Sequence, residues 1–61
     1  MSWQVHYQLG DEQFSAPTAD RTSAIAVACI LLRDGHDVVR LESPSSGETI
    51  EAHEIRRLCD R

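Results

Sequence analysis

The sequence contains no lysine and only three aromatic residues, and both shortages narrow the functions it can carry. All six basic residues are arginine, so there is no side-chain ammonium group for Schiff-base chemistry. Ten acidic residues against six basic ones give a net charge of -4. Because neutralising phosphates requires clustered cations, this balance argues against nucleic acid as a partner.

Long hydrophobic runs are also missing. The longest apolar run extends from Ala24 to Leu32, which is about half of the ~20 residues needed to cross a bilayer. The first residues carry neither the basic region nor the apolar region of a secretory signal. We therefore expect a cytoplasmic protein with no membrane association.

Metal ligands are few and lack the spacing of a metal site. The soft ligands are Cys29, Cys59, His6, His36 and His53, with no C-x-x-C or H-x-x-x-H pattern, whereas zinc needs three or four ligands brought together. No cysteine or serine is paired with a histidine in the manner of a catalytic nucleophile. We predict no metal, no cofactor and no enzymatic activity.

The two cysteines are expected to be small buried core residues with free thiols, because disulfides are rare in a reducing compartment. Secretion by a route that leaves no signal would reverse this prediction. Whether Cys29 and Cys59 touch where two helices meet stays open.

With 61 residues, the chain can form one small domain spanning residues 1–61. A domain of this size buries only about 60% of its unfolded surface, so it needs an efficient core, a staple or a partner.

The first third of the chain alternates apolar and polar residues, the period of a half-buried strand. A turn at Gly10-Asp11-Glu12 and a restart at residues 13–16 predict a hairpin over residues 3–16. Pro17-Thr18 is expected to interrupt the second strand. The inward side chains of the hairpin should be Trp3, Val5, Tyr7, Leu9, Phe14 and Ala16.

One long helix is predicted from Ala19 to Asp34, capped by Thr18 or Asp20 and ended by Gly35. A third strand should cover residues 37–42, with Val39 and Leu41 inward and Val38 on the open face. A turn at residues 43–47 leads into a strand at residues 48–51 with Ile50 inward. Residues 53–59 should form a short helix whose apolar face is Ile55, Leu58 and Cys59.

The predicted fold is therefore α+β with the order ββαββα: a small antiparallel sheet, one long helix packed on one face, and a short C-terminal helix. If residues 12–16 are loop, the order becomes βαββα. This layout resembles small uncharacterised bacterial domains of unknown function, in residues Phe14-Ser15, Ala24-Ile25, Gly35, Val38 to Leu41 and Ser46-Gly47. The resemblance implies no activity, cofactor or site.

The apolar residues of the long helix cover an arc of about 200°, roughly twice what one sheet can cover. In one interpretation, the short helix shelters the surplus. In the other, Val27, Ile30 and Leu31 stay partly exposed and form a patch for a protein partner or for self-association as a homodimer.

The alternative function is binding of nucleic acid or a phosphate ligand through Arg40, Arg56 and Arg57. On the open face of the sheet, His6 and Arg40 are the candidate binding residues. Phosphate binding should weaken steeply with salt, whereas a hydrophobic contact should not.

Overall fold

The computed structural model describes residues 2–60 and has the α+β order ββαββα. Residues 12–16 belong to a strand, so the shorter order βαββα is wrong. The elements are β1 (Trp3–Leu9), β2 (Glu12–Thr18), α1 (Arg21–Arg33), β3 (Asp37–Ser43), β4 (Glu48–Glu51) and α2 (Ala52–Cys59).

The four strands form one antiparallel sheet in the order β2-β1-β3-β4, so β2 and β4 are its edges. The long helix α1 contacts β1, β2 and β3, while α2 contacts α1, β3 and β4. Both helices therefore lie on one face of the sheet, with α2 toward the β4 edge.

The core lies between this sheet face and the two helices. Ala24 and Ala28 are fully buried, and their small side chains let α1 approach the strands closely. Leu41, Ile55 and Val5 are the largest fully buried side chains. Burying an aliphatic side chain of this size contributes about 1.5–3 kcal/mol. The core cluster is Trp3, Val5, Ala24, Ala28, Val38, Leu41, Ile50 and Ile55.

The first hairpin turns on Gly10 and Asp11. Gly10 has φ 60° while Asp11 has a negative φ, the pattern of a two-residue type II′ turn. Such a turn makes Leu9 and Glu12 the closing hydrogen-bonded pair, and the pairs then alternate along the strands. The backbone groups of alternate β2 residues, among them Gln13 and Ser15, consequently point away from β1.

Pro17 lies within β2 and does not interrupt it, contrary to the sequence prediction. It is the partner of Gln4, and by the same alternation its nitrogen points outward. A proline is tolerated there because no ladder hydrogen bond is lost.

The prediction for the third strand was wrong at Val38 and Val39. Val38 is 3% exposed and belongs to the core, whereas Val39 is half-buried and lies outside the core cluster. The register shifts between His6 and Tyr7, which pair with Arg40 and Val38 respectively. Val39 is the extra residue of a β-bulge, and an inserted residue reverses the alternation of faces on one side of it.

Helix α1 begins at Arg21, two residues later than predicted, and Asp20 is its N-cap. The Ser23 backbone N–H donates to Asp20 Oδ1 at 2.8 Å. This hydrogen bond, followed by one from the Ser23 side chain, holds the pKa of Asp20 below its ordinary 3.8. The Gly35 stop is confirmed: its φ is 88°, and its N–H donates to the carbonyl of Leu32.

The prediction of free thiols was also wrong, because Cys29 and Cys59 form a disulfide. Their Cα atoms are 5.4 Å apart, and 30 positions separate them in the chain. The bond joins α1 to the last residue of α2. The small domain thus has the staple that its size requires.

Candidate interaction surface

The sides of α1 can be assigned from its contacts. Cys29 faces α2 through the disulfide, and the fully buried Ala24 and Ala28 face the sheet. At 100° per residue, Val27 and Leu31 then lie on the flank opposite α2, and Ile30 lies next to them toward solvent. That flank points toward the β2 edge.

Of the three residues predicted to form a patch, Ile30 is 53% exposed, while Val27 and Leu31 are half-buried and pack against the core. Helix α2 therefore covers only the opposite flank of α1. The helix alone presents a smaller apolar patch than its sequence predicts.

The hairpin formed by β1 and β2 adds two side chains to this apolar patch, although the sequence analysis predicted that both point into the core. Leu9 is 38% exposed and Phe14 is 40% exposed, although both occupy the helix face of the sheet. Phe14 stacks on Tyr7, with ring centroids 5.7 Å apart. Both residues lie toward the turn or on the edge strand, where α1 does not cover the sheet.

Within residues 2–60, the exposed large hydrophobic residues are Leu9, Phe14 and Ile30. The end of α1 lies near the hairpin turn, because β3 follows α1 closely and begins at Asp37, which pairs with Gln8. The three residues therefore share one side of the molecule. We call Leu9, Phe14, Val27, Ile30 and Leu31 the β2-side surface.

The candidate residues on the open sheet face are already paired. His6 Nε2 lies 2.9 Å from Glu42 Oε1, and Arg40 Nη2 lies 3.9 Å from the same oxygen. The acid at the centre of this group offsets the charge of Arg40, so the arrangement has little attraction for an anion.

The three arginines of the alternative function are not brought together. Arg40 lies on the open face, whereas Arg56 and Arg57 belong to α2 on the other side of the sheet. Arg57 Nη1 lies 3.6 Å from Glu54 Oε1, in an exposed pair within α2. Arg56 instead shares a shallow cleft of about 400 Å³ with Arg33 and the disulfide.

No group of three or more potential metal ligands occurs within the described part of the chain. Among residues 2–60 there is also no helix with the length and apolar character needed to span a membrane.

No family model, curated protein or solved structure matches this chain. The functional inference therefore depends on the geometry of its surfaces.

Sequence reasoning missed Phe14 and Leu9 as surface residues and Arg33 as part of the cleft. The alternation of apolar and polar residues predicts which face of the sheet a side chain lies on, but it does not predict whether the strand is at the edge. The exposure of side chains on the edge strand β2 therefore could not be predicted. Arg33 could have been found, because it lies one helical turn after Cys29 on the same side of α1.

Proposed function

We propose that the protein is a small cytoplasmic interaction module that self-associates through the β2-side surface. The observation that carries the proposal is the position of Phe14, a large aromatic residue 40% exposed on an unpaired edge strand. An edge strand with free backbone groups is a template for another strand. A neighbouring apolar flank, led by Ile30, extends the same surface.

A second copy of the chain is the occupant that β2 fits best, because the strand is self-complementary. Antiparallel pairing about a two-fold axis at Phe14 places the two Phe14 rings opposite each other. Gln13 then faces Ser15 of the second copy, and these are residues whose backbone groups point outward. Glu12 faces Ala16 of the second copy, so the register opposes no like charges along β2.

Phe14 would occupy a non-hydrogen-bonded position in this pairing, where Cα atoms approach to about 4.5 Å. A cross-strand aromatic pair at such a position contributes roughly 0.2–1 kcal/mol. Pro17 provides no outward N–H, which limits the length of the new ladder and disfavours open-ended strand addition. These features suit a closed dimer of modest affinity.

Sedimentation velocity from about 10 μM to 1 mM tests the proposal, a range suited to micromolar dissociation constants. We expect a concentration-dependent dimer for the wild type. Phe14→Glu should be monomeric, because it places two like charges opposite each other. Ser15→Pro should also weaken the dimer, since it removes an outward N–H while leaving the ladder to β1 intact.

Thr22→Glu is the matched control. Thr22 is exposed on the first turn of α1, so this substitution adds the same negative charge at a position outside β2. It should dimerise like the wild type. A wild type that stays monomeric at 1 mM, or a Phe14→Glu variant that still dimerises, would refute the proposal.

The salt dependence separates this function from phosphate binding. Each copy carries a net charge of -4, so salt should screen the repulsion between copies and leave dimerisation unchanged or stronger. Binding of a phosphate ligand through Arg40, Arg56 and Arg57 would weaken steeply instead. The positions of these three arginines do not favour phosphate binding, because Arg40 lies apart from Arg56 and Arg57. Phosphate binding stays an untested prediction.

A further inference from the structure

The cleft between the two helices combines a disulfide with two arginines. Its lining residues are Cys29, Leu32, Arg33, Arg56, Cys59 and Asp60. Both cysteines are half-buried, and both arginines are exposed. Both cysteines thus line an open cleft, while Cys59 also packs against the core.

Neither Arg33 nor Arg56 has an ion-pair partner within residues 2–60, in contrast to Arg21, Arg40 and Arg57. Asp60 also lines the cleft but lies beyond ion-pair distance of both guanidinium groups. Two cations against one acid leave the lining with a local positive charge, in a protein whose net charge is -4. Guanidinium groups in particular bind carboxylates.

We propose that this cleft is a thiol-exchange site, in which an anionic low-molecular-weight thiol opens the Cys29–Cys59 disulfide and becomes attached to Cys59. The arginines would hold the carboxylate of the incoming thiol. A cleft of about 400 Å³ is within the range of small-ligand sites, about 300–1,000 Å³. In the cytoplasm, disulfides are usually transient bonds that take part in such exchange.

The exchange is balanced without an external oxidant. The thiolate of the small molecule attacks Cys59 Sγ, one S–S bond forms as the Cys29–Cys59 bond breaks, and the electron pair leaves on Cys29 Sγ. That thiolate then takes a proton from water. The product is a mixed disulfide on Cys59 and a free thiol at Cys29.

The direction of attack follows from the positions of the two sulfurs. Cys59 is the last residue of α2, where the helix dipole is negative and disfavours a departing thiolate. Each sulfur has a cleft arginine about one helical turn away, Arg33 for Cys29 and Arg56 for Cys59. Helix α1, however, continues beyond Cys29 for one more turn, so the negative end of its dipole acts less on that sulfur. Cys29 is therefore the better leaving group.

The test compares the rates at which 3-mercaptopropionate and 2-mercaptoethanol open the disulfide, each divided by its thiolate fraction. Acid quenching and mass spectrometry give the rate and the site of the adduct. We expect the ratio of the anionic to the neutral thiol rate to fall about three- to fivefold in Arg33→Gln/Arg56→Gln, the size expected for losing nearby charges in water. Arg57→Gln is the matched control, because Arg57 is on the same helix but does not line the cleft.

Asp60→Asn should raise the same ratio, because it removes the acid from the lining. The adduct should lie on Cys59. An unchanged ratio in Arg33→Gln/Arg56→Gln, an adduct on Cys29, or a rate independent of thiol concentration would each overturn the proposal. The last result would mean that the bond opens only after the domain unfolds.

Discussion

At the residue scale, the β-bulge in β3 decides which of two adjacent valines enters the core. Val38→Ala should lower the free energy of unfolding by about 2 kcal/mol, because it leaves a cavity in a packed interior. Val39→Ala is the matched control and should cost less than about 1 kcal/mol, because Val39 is only half-buried and lies outside the core cluster. Chemical denaturation measures both, and equal losses would contradict the register described for β1 and β3.

The N-cap of α1 gives a pH dependence at the same scale. The pKa of Asp20 is lowered by the Ser23 hydrogen bonds, so the folded state binds this proton more weakly than the unfolded chain does. The resulting stabilisation is complete above the unfolded pKa near 3.8 and is lost as the pH falls through the folded value.

Asp20→Asn retains a capping side chain but cannot ionise. The melting temperature of the wild type should therefore exceed that of Asp20→Asn at pH 7, and the difference should shrink below about pH 4. Thermal melts between pH 2 and pH 7 measure this difference. A constant difference over that range would mean that the charge of Asp20 does not contribute to the cap.

At the scale of the elements, the disulfide has the largest expected effect on stability. A cross-link over 30 positions should contribute about 3–4 kcal/mol in the chain-entropy treatment. Cys29→Ala/Cys59→Ala should lower the free energy of unfolding by about that amount. Denaturation of the oxidised wild type against this variant measures the loss, and an unchanged midpoint would show that the bond is not formed in solution.

The elements that the sequence predicted well are those with a clear period. The alternation in β1 and the 3.6-residue pattern of α1 led to elements close to those in the structure, and Gly35 ends the helix as expected. Pro17 was misjudged because its effect depends on whether its nitrogen faces a partner strand. That direction is a property of the sheet and not of the local sequence.

The disulfide could not be predicted from spacing alone. Cys29 and Cys59 lie on different helices, and their distance depends on how α2 packs beside α1. The expected reducing compartment favoured free thiols, and the disulfide between the two helices contradicts the prediction of free thiols. The same packing brings Arg33 and Arg56 to one cleft, so the proposed thiol-exchange site could not be predicted from the sequence either.

At the scale of the whole molecule, the sequence predicted an exposed apolar surface on α1. In the structure, the exposed apolar surface lies closer to β2 than that prediction placed it. The α2 side of α1 is covered, while Phe14 and Leu9 join Ile30 on the other side. A standard interface removes about 800 Å² from each partner, roughly a fifth of the 4124 Å² of accessible surface here. We expect the β2 edge and the α1 flank together to provide this area in the dimer.

Ile30 tests whether the helix flank takes part in association as well as the strand. Ile30→Glu should weaken the dimer by destroying the apolar contact, while leaving the stability of the monomer within about 0.5 kcal/mol because the side chain is mostly exposed. Sedimentation velocity and chemical denaturation of the same sample measure the two quantities. Full dimerisation of Ile30→Glu would confine the interface to β2.

Hydrogen exchange at the β2 amides is the most direct measurement of self-association. In a monomer, the N–H groups of Gln13 and Ser15 face solvent and should exchange rapidly at every concentration. We expect both to become protected as the protein concentration rises toward 1 mM, because they pair with the second copy, while exchange at Phe14, already bonded to β1, changes little. Rapid exchange of Gln13 and Ser15 at 1 mM would contradict self-association through β2.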